Sequence, residues 1–202
     1  MKPFAASCER NQDPILNALR PILTRYGDCQ VLEVGSGTGQ HGVFFASALP
    51  WVTWTLSDRA ENHAGIEAWR NEADLKNLLG PLLLDVNDFP DVEPPVQVVF
   101  SANTAHIMRW QEVTLMIAGA ANALAEDGRL LVYGPFRRDG AHTSEGNEAF
   151  DHSLRQMSPS MGIRDLEAVD GVARDAGLTL VAVHQMPANN LLVEWRKATS
   201  ST

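Results

Sequence analysis

The sequence predicts an α/β fold in which a mainly parallel sheet is covered by helices on both faces and ends in an antiparallel pair. Three observations carry this expectation. Short apolar runs alternate with stretches of helical periodicity along most of the chain, and the first run turns into its helix through a glycine-rich loop. The last two runs are joined by Met186-Pro187-Ala188-Asn189-Asn190, too short for a crossover helix, so they form a hairpin.

Asp13-Pro14 has the form of an N-cap followed by proline in the first turn. Ile15, Leu16, Leu19, Ile22 and Leu23 then recur at helical spacing up to Gly27, with Pro21 expected to kink or split the helix. The first strand is read at 30–34 and the next helix at 40–49, stopped by Pro50. Strands at 52–57, 82–84, 96–101 and 129–133 are short, mostly apolar and followed by polar or glycine residues. Helical patterns fill 60–70 and 111–125, the second ended by Glu126-Asp127-Gly128. Residues 135–146, rich in Gly, Arg, Asp and Ser, interrupt the course from the fifth strand to the next helix and read as a lid. A helix after Arg164-Asp165 carries Leu166, Val169, Val172 and Ala176 on one stripe that covers the sheet. Strands at 178–184 and 191–196 form the closing hairpin.

With 45% apolar and 20% charged residues, the 202 residues read as one domain over 1–202. No run approaches the roughly 18 apolar residues of a membrane span, and the start lacks a signal peptide's apolar stretch, so a soluble, cytoplasmic protein without a membrane partner is expected. Cys8 and Cys29 form no metal-binding pattern, and His41, His63, His142, His152 and His184 show no ligand spacing, so no metal is expected. A formal net charge of −9 disfavours nucleic acid as a partner.

The segment Val31-Leu32-Glu33-Val34-Gly35-Ser36-Gly37-Thr38-Gly39-Gln40-His41-Gly42 lies where the first strand becomes a helix. Glycines there permit positive φ and close approach of a ligand to the backbone. Gly35-x-Gly37-x-Gly39 is the pattern of S-adenosylmethionine (SAM) enzymes, whereas Gly37-x-Gly39-x-x-Gly42 has the dinucleotide spacing. Three features favour SAM. Glu33 suits the ammonium of the cofactor's methionine part and sits badly beside a pyrophosphate. A helix precedes the first strand. Tyr133 is followed four residues on by Arg137, so the Tyr-x-x-x-Lys pair of one large dehydrogenase group is missing there. Asp58, beyond the second strand, can accept from both ribose hydroxyls, and Asp85, ending the third, from the adenine amine. Each alone is more often a cap or turn residue; three acids after three successive strands point to a site.

At these residues the chain resembles the class I SAM-dependent methyltransferases, a Rossmann-like fold with a seven-stranded sheet whose last strand is antiparallel. More narrowly, it is similar to the methyltransferase-like family formerly catalogued as domain of unknown function 938, which includes relatives of methyltransferase-like protein 26. Glu9-Arg10-Asn11 with Pro14-Ile15-Leu16, the glycine loop through Gln40-His41, Ser57-Asp58, Asn103 with His106-Ile107, Tyr133-Gly134-Pro135-Phe136, Gly162-Ile163-Arg164-Asp165 and the Met186–Leu191 segment carry the likeness. It implies a methyltransferase fold and a SAM site, for which Glu33, Gly35, Ser36, Gly37, Gly39, Asp58, Asp85, Val86 and Asn103 are the candidates; it does not supply the acceptor, which is expected to be a small molecule, with a non-catalytic SAM-binding protein or a nicotinamide-dependent oxidoreductase as the alternatives. The Asn/Asp-Pro-Pro-Tyr/Phe signature of nucleobase amino methylation is missing. His106, after the fourth strand, is the candidate base, with a structural role as the alternative. Tyr133 and Phe136 are candidates for shaping the acceptor pocket or for core packing. Arg10 and Asn11, expected to precede the first helix, are candidates for folding over the cofactor and acceptor, with a surface salt bridge of Arg10 as the alternative.

Overall fold

The computed structural model describes residues 2–199. Its strands are β1 (Cys29–Val34), β2 (Val52–Asp58), β3 (Leu78–Leu83), β4 (Val96–Ala102), β5 (Leu124–Arg137), the two-residue β6 (Arg164–Asp165), β7 (Leu178–Met186) and β8 (Asn190–Lys197). The main sheet runs in the order β3-β2-β1-β4-β5-β8-β7, and β6 pairs with the end of β5. The first five strands are parallel neighbours, and β8 is antiparallel to both β5 and β7. The helices are α1 (Ala6–Leu23), α2 (Gln40–Ala48), α3 (Ala60–Ala73), α4 (Trp110–Ala123), α5 (Glu145–Met157) and α6 (Leu166–Asp175). A mixed sheet covered by helices and closed by a hairpin is what the alternating pattern predicts.

Strand periodicity divides the core in two. Leu32 and Val34 of β1, Val99 of β4, Leu130 and Val132 of β5 and Val193 of β8 enter one apolar cluster with α4 and α6. The residues between them, Val31, Val98, Phe100, Leu131, Tyr133 and Leu192, enter the other cluster with α1 and α2. Successive side chains alternate across a strand, so each strand supplies both faces. Phe45 of α2 meets Trp54 and Phe100 with ring centroids 5.1 and 5.8 Å apart. Such aromatic contacts add roughly 0.5–1.5 kcal/mol each beyond burial, and they anchor the helix that follows the glycine loop.

The structure differs from the sequence reading in three places. α1 begins at Ala6 and continues unbroken through Pro14 and Pro21, so Asp13 is not its cap and Arg10 and Asn11 lie inside it. Burial of Ile15, Leu16, Leu19, Ile22 and Leu23 along one stripe holds those turns despite the two lost backbone donors. β3 occupies 78–83 instead of 82–84, with Gly80 and Pro81 within it. Residues 135–137 finish β5, and the turn from Arg138 to Ala141 closes by two backbone hydrogen bonds of 3.0 and 2.9 Å. That turn is tied to the start of α6, Gly140 N–H donating to Asp165 and Asp139 N–H to Glu167, and α5 follows with Ser144 as its cap. The segment read as a lid is thus pinned down. Among the described residues no helix is long and apolar enough to cross a membrane.

Candidate functional site

The loop after β1 is built on positive φ: Gly35 at 73°, Gly37 at 58° and Gly39 at 86°. Gly35 also cannot carry a side chain, because its Cβ would lie 2.6 Å from Thr104 Cγ2. A Cβ on Gly37 would meet no atom within 4 Å. The loop's donors are largely used within the protein: Gly35 and Ser36 N–H donate to Ser57 O at 3.1 and 2.9 Å, and Gly37 N–H donates to Asp58 Oδ2 at 2.7 Å. Asp58 Oδ1 accepts from Arg59 N–H and Asn62 Nδ2.

A cavity of about 710 Å³ opens along the carboxyl ends of β1 to β4. Gly35, Ser36 and Gly37 line it from β1, Asp58 from β2, Asp85 and Val86 from the segment after β3, and Asn103 from the end of β4. These seven expected cofactor residues are brought together. Asp85 accepts from Asn87 N–H and Nδ2, which hold its carboxyl below the usual range. Asn103 has φ 59° and donates its N–H to Tyr133 O at 2.9 Å.

The roof of the cavity is the start of the chain. Pro3, Ala5, Ser7 and Cys8 line it from above. Trp69 Nε1 of α3 donates to Pro3 O at 2.6 Å, Lys2 pairs with Glu72 at 2.7 Å, and Ala5 N–H donates to Gln40 Oε1 at 2.6 Å. Gly65 lets Pro3 approach α3, since a Cβ there would stand 2.6 Å from the proline ring.

The other expected residues lie outside this cavity. Glu33 shares its strand face with Val31 and therefore turns under α2, where it accepts from Trp54 Nε1 at 2.9 Å and is 1% exposed. Burial pushes its carboxyl up to about 7. Gly39 caps α2 and abuts the backbone of Ile66. His106 is buried against Phe150 at 5.2 Å, its backbone oxygen accepting from Gly162 N–H, while Ile107 and Met108 of the same turn line the cavity. Burial, and then Arg164, push the His106 imidazole down to about 4. Arg10 is exposed on α1. Asn11 and Tyr133 do not line the cavity, Asn11 Oδ1 facing His41 Nε2 at 2.7 Å and the Tyr133 hydroxyl accepting from Asn190 Nδ2 at 3.1 Å, and Phe136 belongs to the core on the opposite face.

Two residues that sequence reasoning missed as a pair line the cavity together: Cys8 Sγ lies 3.8 Å from Nδ1 of His41. Neither showed metal-ligand spacing, and only the packing of α1 on α2 brings them together. The signal available was that both fall in segments carrying the family resemblance or adjoining them. Among the described residues no group of His, Cys, Asp and Glu is arranged to hold a metal ion.

Comparison with known proteins places this geometry in context. The family described as "Protein of unknown function (DUF938)" matches residues 2–197. The fold recurs in the S-adenosylmethionine-dependent methyltransferase SibL in its apo form, with a TM-score of 0.79 and 24% identity over 96% of this chain and 56% of that one. It recurs also in an O-methyltransferase family 2 protein from Planctomyces limnophilus in complex with apigenin, with a TM-score of 0.74, 19% identity and coverage of 84% and 51%. The YcgJ protein from Bacillus subtilis superposes with a TM-score of 0.72 at 15% identity, over 92% of this chain and 98% of that one. The chain thus spans about half the length of the first two structures and nearly all of the third. The shared fold is the Rossmann-like fold of class I methyltransferases.

Proposed function

We propose, from the premise that the chain belongs to the DUF938 family, that it is a SAM-dependent methyltransferase acting on a small-molecule acceptor. The relatives of methyltransferase-like protein 26 are counted among its kin in this reading. The observation that carries it is the hydrogen bond from Gly37 N–H to Asp58. In a pyrophosphate site the loop amides point at the ligand. Here those of Gly35, Ser36 and Gly37 are spent on Ser57 and Asp58, and a carboxylate stands where a phosphate would be repelled. What remains suits a neutral nucleoside: Asp58 with lone pairs for ribose hydroxyls, Asp85 and Val86 beside the base, and Gly37 open to the ligand.

When bound, the cofactor supplies a methyl group on a sulfonium, which leaves by in-line displacement. The chain's own contribution is placement and environment. Asp58, Glu61, Asp85 and Glu112 line the cavity, and Arg59, the cation among its lining residues, is tied to Glu61 at 2.9 Å. This negative lining favours a cationic sulfonium over its neutral product and disfavours acceptors that carry carboxylate or phosphate. Ile107 and Met108 give the acceptor an apolar wall beside Asn103. The roof from Pro3 to Cys8 keeps water out. His106 is buried against Phe150 and does not line the cavity, so in this reading alignment and exclusion of water do the work assigned to it as a base.

Calorimetric titration with SAM, S-adenosylhomocysteine and NADPH tests this reading, with binding of the first two and none of the third expected. Formation of S-adenosylhomocysteine from SAM and a fractionated metabolite extract tests catalysis. A chain that binds SAM and yields no such product with any fraction is a SAM-binding protein and not an enzyme.

A further inference from the structure

His41 occupies the first turn of α2, its ring stacked on Phe45 at 5.4 Å and 8°. Its Nε2 stands 2.7 Å from Asn11 Oδ1. An amide oxygen only accepts, so Nε2 carries the hydrogen and Nδ1 keeps its lone pair. A side chain of α1 therefore sets the tautomer of a ring on α2.

Nδ1 faces Cys8 Sγ, and both residues line the cavity. Burial pushes the His41 imidazole down to about 4, which keeps it neutral and able to accept. Burial, and then the neighbouring Glu33, push the Cys8 thiol up, which keeps it protonated. The cationic residue among the cavity lining, Arg59, belongs to the β2 side, and Arg10 is exposed on α1. This end of the cavity thus presents a ring-nitrogen lone pair beside a neutral thiol that can turn aside from it, with no cationic side chain among the lining residues there. Its natural complement is a hydrogen-bond donor that carries positive charge.

We infer that His41 Nδ1 receives the α-ammonium of the cofactor's amino-acid part, an assignment that rests on the methyltransferase reading above and takes over the role expected of Glu33. Glu33 lies behind it, a buried carboxyl group bonded to Trp54. The length of the cavity agrees: Asp58 and Asp85 stand toward α3 and β3, and His41 lies at the α2 side of the glycine loop, where the methionine part would extend.

Calorimetry of the full chain with two probes tests the assignment. S-adenosylhomocysteine carries the ammonium; 5′-methylthioadenosine keeps the adenosine and thioether but lacks the amino-acid part. His41→Ala should weaken S-adenosylhomocysteine about ten- to hundredfold, the loss of one hydrogen bond to a charged group, and leave methylthioadenosine within about twofold. His41→Asn, whose side-chain oxygen falls near the Nδ1 position, should recover more affinity than His41→Gln, whose polar end falls near Nε2. Unchanged S-adenosylhomocysteine affinity in His41→Ala, or an equal loss for both probes, overturns the assignment and leaves the methyltransferase reading standing. A wild-type chain without affinity for S-adenosylhomocysteine overturns both.

Discussion

Asp58 Oδ2 accepts the Gly37 N–H at 2.7 Å, so the residue expected to hold the ribose also holds the loop that would lie beneath it. Asp58→Ala removes both functions. It should weaken SAM by about 1–3 kcal/mol and lower the melting temperature as well, because Gly37, Arg59 and Asn62 each lose a partner. Calorimetry and thermal melting of the same preparation check the two effects. Weakened binding with an unchanged melting temperature would contradict the linkage.

Gly35 and Gly37 should separate under substitution. A Cβ at Gly35 collides with Thr104, so Gly35→Ala should destabilise the fold. Gly37→Val places its methyl groups in the open cavity at a φ of 58°; it should cost about 1–2 kcal/mol in backbone strain and abolish S-adenosylhomocysteine binding in a folded protein. Denaturant midpoints and calorimetry on both variants decide, and full affinity in folded Gly37→Val would remove the loop from the site.

His106 should prove structural. His106→Ala removes a buried ring packed on Phe150 and is expected to lower stability by about 1–3 kcal/mol while leaving S-adenosylhomocysteine affinity unchanged. Once an acceptor is known, turnover should fall only in proportion to unfolding. A stable variant with turnover reduced a hundredfold would restore the role of base.

The pH dependence of stability has two opposed parts. Glu33 is pushed up to about 7 from an ordinary 4.5, so between those values the folded protein holds a proton that the unfolded chain releases, and stability falls as pH rises through that window. His41 and His106, both pushed down to about 4 from 6.5, act in the other direction: their contribution is complete above about 6.5 and is lost as pH falls toward 4. Glu33→Gln keeps an acceptor for Trp54 and removes the first part. Its urea midpoint should match wild type near pH 4.5 and exceed it at pH 8, by up to about 3 kcal/mol in stability. A loss at pH 8 would show that the carboxylate is better accommodated than its burial suggests.

Arg129 and Glu194 form a buried pair across β5 and β8, with Nε and Oε1 at 3.0 Å and His184 on the second carboxylate oxygen. Glu194→Ala leaves Arg129 Nε without its partner while Nη1 keeps Asp127, and should cost about 3 kcal/mol in a denaturant melt. The double change Arg129→Met, Glu194→Leu should recover most of it.

Local chemistry was legible in the sequence. Glycines with positive φ, strands of period two and a connection too short for a helix each declare themselves within a few residues, which is why the sheet, the loop and the Asp58–Asp85 edge could be read. What escaped depends on contacts distant along the chain. The facing of Glu33 was decided by strand parity, and the start of α1 by packing on α2, against the message of Asp13-Pro14. α5 buries Asn147, Asp151 and a single leucine, so its inner face looks polar, and the turn before it passes for a lid until its bonds to Asp165 and Glu167 are seen. Cys8 and His41 meet across two helices, and no spacing announces them.

The roof and the floor of the cavity differ in how they would yield. The floor is made of four strand ends buried in both cores, so opening it means unfolding. Residues 2–5 of the roof are held by contacts of Lys2, Pro3 and Ala5 with Glu72, Trp69, Gly65 and Gln40, while its Ser7 and Cys8 belong to α1. In the methyltransferase reading, loosening residues 2–5 is then the cheaper route for cofactor exchange, and changes at Trp69 or Gln40 would alter its dwell time without touching the atoms that recognise it.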